Sequence, residues 1–277
     1  MNIGIVGLGL IGGSMAKAFK FYTEHTVLGY DKDALSVKRA KLVCAIDDEL
    51  SDQNIGECDV IIIALYPKAT VDFVVNKAAL IKKGALVFDC CGIKRYICAP
   101  CFEAAEKHGF EFYGGHPMAG TQFSGFNNAK ETMFKNASMI IVPKSADNIY
   151  KLENIKSLFT SIGFKTITVT DAETHDRMIA YTSQLAHVVS NAYVKSPSAK
   201  LHKGFSAGSF KDLTRVARLN EDMWTELFME NGEFLAEEID RIAEEISKYS
   251  TAIKNKDNEK LKELLKDGRI QKELSEK

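Results

Sequence analysis

Short apolar runs alternate with stretches of helical periodicity through the first half of the chain. Helical patterns fall at Gly12–Phe21, Asp33–Leu42 and Asn148–Ser161. Strand and helix in alternation predict βαβ units and a twisted, mainly parallel sheet. The predicted strands are Ile3–Val6, Thr26–Tyr30, Val60–Ala64, Ala85–Asp89, Glu111–Tyr113 and Met139–Val142, with Phe164–Thr170 as the candidate last strand.

The pattern changes at Thr170. Thr170–Glu173 has the form of a capping box, which predicts that a long helix begins there. No convincing strand follows, and we predict an α/β domain over residues 1–170 followed by an all-helical domain over residues 171–277. Apolar residues recur at helical spacing in the second part, at Leu227, Phe228, Phe234, Leu235, Ile239, Ile242 and Ile246. Gly268 is a candidate helix end in the charged tail.

Composition narrows the classes of partner. The 277 residues are 45% hydrophobic and 26% charged, enough for a full core, and the net charge is −1. Without a basic field, nucleic acid and anionic membranes are poor partners. The chain starts directly on a strand without a signal-peptide pattern, and no window approaches the roughly 18 apolar residues of a spanning helix. We therefore expect a cytoplasmic protein.

Six cysteines raise the question of a metal site. Cys98 and Cys101 form a CxxC pair, preceded by Cys90 and Cys91, and this spacing admits a zinc interpretation. However, Cys90 and Cys91 are adjacent at the end of a predicted buried strand, where neighbouring side chains face opposite ways. We predict free thiols and no metal.

A glycine-rich turn follows the first predicted strand and opens a helix. In Gly7–Gly12, the first glycine permits a tight turn, Gly9 lets the backbone approach a pyrophosphate, and Gly12 allows close helix packing. Asp31 ends the second strand 19 residues later, where a carboxylate can bind ribose hydroxyls and would repel a 2′-phosphate. These features predict a Rossmann-type domain that binds NAD rather than NADP. The predicted cofactor contacts are Gly7, Gly9, Leu10, Ile11, Gly12, Asp31, Leu65, Tyr66, Lys68 and Gly92.

A histidine lies in a second glycine-rich segment, Gly114–Thr121, directly after a predicted strand. The small residues on both sides of His116 would let a substrate approach, and the segment lies at the sheet edge that faces the cofactor. We therefore predict that His116 is catalytic, against the alternative of a structural histidine.

Four motifs occur in the order typical of one enzyme family. They are GLGLIGG, GGHPMAGT, Leu185-Ala186-His187, and Phe210–Arg215 followed by Met223-Trp224. With these motifs, nearly the whole chain resembles the prephenate and arogenate dehydrogenases of tyrosine biosynthesis. The spacing of the arginine and the tryptophan after the histidine-proline segment is the most specific of the four.

The apolar stripe from Leu227 to Ile246 predicts a homodimer through the carboxyl-terminal helices, because a small helical domain cannot readily cover it alone. The resemblance also implies a homodimer, and it implies a role for each matching residue. His116 corresponds to the catalytic histidine, which accepts a hydrogen bond from the C4 hydroxyl of the substrate, and Arg215 to the arginine that binds a carboxylate. His187 corresponds to a second histidine of the substrate site, and Trp224 to an aromatic residue near its entrance. The implied reaction passes hydride from C4 to nicotinamide, releases carbon dioxide from C1 and makes the ring aromatic. Thr121 and Gln122 are further candidate substrate contacts, and the neutral Gln122 slightly favours a keto acid.

Ordinary structural interpretations stay open for several of these residues. Arg215 could be a surface arginine, His187 a core histidine, and Trp224 part of the core or of a dimer interface. Gly92 departs from the family, which often has a serine there that assists at the substrate hydroxyl. Thr121 or water would have to replace that hydrogen bond.

The preferred function is an NAD-dependent prephenate dehydrogenase that makes 4-hydroxyphenylpyruvate. Arogenate dehydrogenase, which makes tyrosine, is the nearest alternative because the two substrates differ only in a keto or amino group. A β-hydroxyacid dehydrogenase or imine reductase of similar plan is disfavoured by His116 and Arg215. An NAD-sensing regulator would need a partner surface or a DNA-reading element, and the chain has no recognisable helix-turn-helix or basic stripe.

Overall fold

In the computed structural model, which describes residues 1–121, 123–145 and 148–276, one mixed sheet carries the first part of the chain. Its eight strands follow the order β3-β2-β1-β4-β5-β6-β7-β8, and neighbours are parallel except for the antiparallel pair β6 and β7. The strands are β1 (Asn2–Val6), β2 (Thr26–Tyr30), β3 (Asp48–Glu49), β4 (Val60–Ile63), β5 (Leu86–Asp89), β6 (Glu111–Pro117), β7 (Ser138–Pro143) and β8 (Thr166–Val169).

Helices cover the sheet and then form the second part of the chain. Five lie between strands: α1 (Leu10–Tyr22), α2 (Ala34–Leu42), α3 (Pro67–Lys77), α4 (Arg95–His108) and α5 (Ile149–Thr160). The others are α6 (Ala172–Ile179), α7 (Leu185–Tyr193), α8 (Gly208–Thr214), α9 (Glu221–Glu230), α10 (Gly232–Lys254) and α11 (Asn258–Ser275). One π-helical turn over Ala180–Gln184 joins α6 to α7, and such turns often occur at functional sites.

Two apolar cores fill the two faces of the sheet because its central strands are buried on both sides. Phe19, Phe88 and Phe159 belong to one core, and Ile61, Ile63 and Ile97 to the other. A third, smaller core around Phe234 and Leu235 holds α7 and α10 together. The predicted fold class, a Rossmann-type α/β domain followed by helices, agrees with this architecture.

Local predictions near the second part needed correction. The N-cap of α6 is Asp171, not Thr170, because Asp171 Oδ1 accepts the Thr174 backbone N–H at 2.8 Å. Gly268 does not end a helix and lies inside α11. The predicted apolar stripe is largely covered within the chain, with Leu227 buried against the sheet domain and Ile246 still 58% exposed.

None of the helices in the described part of the chain combines the length and apolar composition needed to cross a bilayer.

Candidate active site

The candidate active site lies along one edge of the sheet. Strands β1, β4, β5 and β6 are mutually parallel neighbours, so their carboxyl ends meet at this edge. The glycine turn follows β1, Leu65 follows β4, Gly92 follows β5, and His116 lies near the end of β6. Three strand spacings separate β1 from β6, which places His116 about 14 Å along the edge from the glycine turn.

The glycine turn has the form of a phosphate-binding cradle. Gly7 has a φ of +90°, and a Cβ added there would lie 2.5 Å from the Ala64 carbonyl oxygen. A Cβ at Gly12 would lie 1.8 Å from the Gly7 oxygen, so both positions require glycine. Nothing lies within 4 Å of a Cβ at Gly9, which leaves that backbone open to a ligand. Leu10 and Ile11 begin α1, so the turn opens directly onto a helix N-terminus.

Asp31 holds the same turn from the neighbouring strand. Its Oδ2 accepts the Leu8 backbone N–H at 2.7 Å, and its Oδ1 accepts the Asp33 N–H at 2.8 Å. Each carboxylate oxygen keeps a further lone pair, and the side chain is only half-buried. The arrangement therefore fits an acid that both shapes the turn and meets a ribose hydroxyl.

The segment after β4 lines the same edge. Tyr66 is 47% exposed and Lys68 is exposed, while Leu65 is half-buried. The Lys68 backbone N–H donates to Glu226 Oε1 of α9 at 2.6 Å, which ties this segment to the helical part of the chain.

A fully buried ion pair underlies the next loop. Lys94 Nζ donates to Asp89 Oδ2 at 2.5 Å, and Asp89 also accepts the Cys91 and Gly115 backbone N–H groups. Burial alone would lower the pKa of Lys94, but Asp89, together with Cys91 and Cys98, raises it overall. The pair thus fixes the loop after β5 against β6, on which His116 lies.

His116 lies within β6 rather than in a loop, paired with Ile140 of β7. The strand continues past Tyr113 because its two glycines pack closely against neighbours: a Cβ at Gly115 would lie 2.3 Å from the Asp89 carbonyl oxygen. The half-buried His116 ring is therefore held on a rigid element, which is more precise for chemistry than a loop.

Two residues of α6 continue a chain of hydrogen bonds that begins at His116. His116 Nδ1 lies 2.9 Å from His175 Nε2, and His175 Nδ1 lies 2.7 Å from Asp176 Oδ1. Burial, followed by the charges of His175 and Lys94, holds the pKa of His116 well below its usual value. Burial also lowers the pKa of His175, against the opposing hydrogen bond to Asp176. This direction favours the uncharged form of His116, which can accept a proton.

Gly92 faces the reactive side of His116. A Cβ built on Gly92 would lie 3.9 Å from His116 Nε2 and 3.6 Å from Leu227 Cδ2, both ordinary contacts. The position therefore has room for a Cβ beside the His116 ring.

Three predicted substrate residues cluster on the helical part. His187 Nδ1 donates to the Val216 carbonyl at 2.9 Å, and its ring lies 4.0 Å from the Trp224 ring. Burial lowers the pKa of His187, the Val216 hydrogen bond opposes this, and the charge of Arg215 lowers it further. Arg215 itself is exposed at the end of α8 and, among the described residues, has no carboxylate within ion-pair distance.

Helix α9 connects this cluster to His116. Trp224 contacts His187, and Leu227, three residues further along, packs beside Gly92 and His116. Residues at this spacing share a helix face with about 5–6 Å between Cβ atoms. Two buried amides hold α9 in place: Gln184 donates to the Leu227 carbonyl, and Asn231 donates to Gln184 and to the Asp176 carbonyl. Helix α9 therefore lies against both clusters.

The remaining predicted substrate contacts lie after β6. Thr121 is exposed and makes a local pair of 3.3 Å hydrogen bonds with Phe123. Gln122 lies outside the described residues.

Sequence reasoning missed His175, Asp176 and Lys94. The His-Asp pair follows directly on the capping segment of α6, where it looks like part of an ordinary polar helix face. Its role depends on the packing of α6 against the N-terminus of α4, which no local pattern reveals. An adjacent His-Asp pair on a helix in the same chain as an isolated candidate histidine was the available signal.

The cysteines are free thiols, and burial raises the pKa of Cys98 to about 12. Within the described ranges, no group of three or more His, Cys, Asp or Glu side chains is arranged to hold a metal ion.

Comparison with known families matches both parts of the chain. Residues 15–168 match the model described as prephenate dehydrogenase, nucleotide-binding domain, and residues 171–267 match prephenate dehydrogenase, dimerization domain. The first match alone covers more than half of the chain.

Similar proteins carry related names. A prephenate dehydrogenase of Bacillus subtilis is 30% identical, over 93% of this chain and 71% of that protein. A cyclohexadienyl dehydrogenase of Zymomonas mobilis is 29% identical, over 96% of this chain and 93% of that protein. The crystal structure of A. aeolicus prephenate dehydrogenase in complex with hydroxyphenyl propionate and NAD+ superposes with a TM-score of 0.86 at 26% identity, covering 98% of this chain and 97% of that one. An arogenate dehydrogenase from Synechocystis shares the fold, with a TM-score of 0.82 at 24% identity over 99% of this chain and all of that one.

A nucleotide-binding α/β domain followed by a helical dimerization domain is the architecture of a class of NAD-dependent dehydrogenases. Within that class, the chain belongs to the prephenate dehydrogenase family. Membership confirms the predicted resemblance and makes the chain an NAD-dependent oxidoreductase.

Proposed function

We propose that this chain is a prephenate dehydrogenase that converts prephenate to 4-hydroxyphenylpyruvate by oxidative decarboxylation. The observation that carries the proposal is the position of His116 at the carboxyl edge of the sheet, with Nδ1 2.9 Å from His175 Nε2 and the ring beside Gly92. In this role His116 Nε2 accepts the proton of the C4 hydroxyl. NAD bound at the sheet edge would accept the hydride from C4, and loss of carbon dioxide from C1 would complete the aromatic ring.

The helical cluster supplies the binding contacts. An exposed arginine without an ion-pair partner can bind a substrate carboxylate bidentately, and Arg215, near His187, is such a residue within the part of the chain that the structure describes. Trp224 lies three residues before Leu227 on α9, and in this proposal a small dicarboxylate reaches from Arg215 to His116. In this arrangement Trp224 borders the ring of the substrate. Thr121 and Gln122, from the segment after β6, are further proposed substrate contacts.

The glycine turn and Asp31 are proposed to hold the dinucleotide. The open Gly9 backbone fits a pyrophosphate, and the Asp31 carboxylate fits ribose hydroxyls better than a 2′-phosphate because like charges repel. Asp31→Ser should lower the ratio of kcat/KM with NAD to kcat/KM with NADP. A wild-type preference for NADP would overturn this assignment.

We further propose a division at residue 170 and a homodimer through the helical part. The matched dimerization model covers residues 171–267. Several large apolar side chains of this part are exposed in the single chain, as expected of a surface that a second copy covers. They include Leu201, Phe205, Ile246, Ile253 and Leu265. Light scattering at micromolar concentration should report a dimer, and a monomer would contradict the proposal.

Steady-state kinetics of the purified protein test the substrate. We expect kcat/KM with NAD to be higher for prephenate than for arogenate, the substrate with an amino group. A preference for arogenate would make the chain an arogenate dehydrogenase with the same site. Turnover of neither substrate would reject the proposed function.

A further inference from the structure

We infer that His175 and Asp176 set the tautomer of His116, so that its Nε2 carries the lone pair that faces the substrate. Both are positioning residues, since neither borders the space beside Gly92. This inference rests on the proposed function for its consequence in catalysis, but the tautomer itself can be measured without it.

Asp176 accepts hydrogen bonds through both oxygens. Its Oδ1 accepts the Lys94 backbone N–H at 2.7 Å, and its Oδ2 accepts the Arg95 N–H at 2.8 Å, which caps the first turn of α4. A fully buried carboxylate in this arrangement acts as an acceptor only. The third contact, from His175 Nδ1 at 2.7 Å, must therefore be a donated N–H.

The proton on His175 Nδ1 determines whether His175 Nε2 donates or accepts. A neutral imidazole has one N–H and one lone pair, so His175 Nε2 is an acceptor. The contact at 2.9 Å then requires His116 Nδ1 to donate, which leaves the lone pair of His116 on Nε2. An oriented base of this kind follows the general logic in which a third group fixes the tautomer of a catalytic histidine.

The charged groups around His116 support a neutral, oriented ring. On its own strand β6 the neighbours are glycine and proline. The facing groups are His175 and Asp176 of α6, and the Lys94–Asp89 pair next to the start of α4. Lys94 disfavours a second positive charge on His116, and Asp176 is connected to His116 through the hydrogen bonds of His175.

Nuclear magnetic resonance of ring-¹⁵N-labelled histidines tests the tautomer directly. Among the six histidines, the signals of His116 and His175 can be assigned by comparing wild type with His116→Asn and His175→Gln. At neutral pH we expect both rings to be in the Nδ1–H form. A His116 ring protonated on Nε2 in the wild type would overturn the inference, whether or not any variant folds.

Kinetic variants test the consequence. His175→Leu removes the acceptor for His116 Nδ1, so both tautomers become populated, and kcat should fall about 10²-fold with little change in KM, as for a misaligned catalytic group. His175→Gln can present a carbonyl oxygen to His116 Nδ1 and should recover part of the loss. His108→Gln is the control, since His108 lies at the far end of α4, about 20 Å along the helix from Arg95.

The two proposals fail in different ways. If wild type shows the Nδ1–H tautomer but turns over neither prephenate nor arogenate, the proposed function fails and the positioning inference stands. If wild type turns over prephenate but His175→Leu keeps its kcat, the positioning role is wrong while the proposed function stands.

Discussion

The two halves of the candidate site are built differently. Around His116, every polar neighbour is buried and hydrogen-bonded: His175 and Asp176 are 2% and 0% exposed. Around Arg215, the guanidinium is exposed and, within the described residues, lacks a carboxylate partner. His116 at the sheet edge is therefore preorganised by its hydrogen bonds. The Arg215 charge on the helical part is available to bind a substrate carboxylate.

This difference matches the demands of the two tasks. A proton acceptor gains from fixed geometry, because misplacement by about 1 Å can cost 10²-fold in rate. A carboxylate clamp gains from an unpaired arginine, because a partner within the protein would compete with the substrate. Changes at the two clusters should consequently affect different kinetic parameters.

His116→Asn should have the largest effect. Asparagine keeps a polar side chain but removes the proton acceptor, so kcat with prephenate should fall about 10²–10⁴-fold while KM moves much less. Steady-state rates of NADH formation measure this. Near-normal kcat with both prephenate and arogenate would show that His116 is not the base.

Arg215→Gln should act mainly on KM. Loss of a hydrogen bond to a charged group removes about 1.5–3 kcal/mol of binding in ground and transition states alike, or about 10- to 150-fold in KM. Arg218→Gln is the matched control, an exposed arginine three residues along. Equal effects of the two variants would show that general surface charge, rather than a specific clamp, attracts the substrate.

Gly92→Ser should have a small effect on stability and on kcat, in contrast to Gly115→Ser. The Cβ at Gly92 meets nothing closer than 3.6 Å, so the variant should fold normally and place a hydroxyl near His116 Nε2, changing kcat only several-fold. Gly115→Ser, whose Cβ would lie 2.3 Å from the Asp89 oxygen, should fail to fold or lose much of its stability. Thermal unfolding compares the two, and equal Tm values would contradict this account of the packing.

The fold could be predicted from the chain because its signals are local. The strand Thr26–Tyr30 has the predicted bounds, and the glycine turn follows β1 as expected. The extension of β6 through His116 was missed, since Gly114 and Gly115 indicate a loop by composition. Only the contacts with Asp89 and Met139 show why glycines are needed inside this strand.

The candidate site was predictable in part, for different reasons at its two ends. His116 and Asp31 followed from strand position and residue chemistry, whereas Arg215 and Trp224 came from the family resemblance alone. His175 lies 59 residues from His116, and their contact exists only because α6 packs at the N-terminus of α4. Tertiary hydrogen bonds of this kind have no periodic signature in a sequence.

The pH dependence of kcat tests the central claim, that His116 acts as a neutral base, most directly. Burial lowers the pKa of His116 well below the ordinary value of about 6.5, so its accepting form persists as pH falls through 6.5 and is lost only further down. The same shift makes the folded state less stable on acidification: its contribution is complete above about 6.5 and is lost as pH falls through the folded-state pKa. Unfolding must therefore be monitored at each pH.

In the wild type we expect kcat to stay level from neutral pH through 6.5 and to fall on an acid limb below it. The residual rate of His116→Asn should show no such limb. A wild-type limb at or above 6.5, or an acid limb that persists unchanged in His116→Asn, would contradict the account.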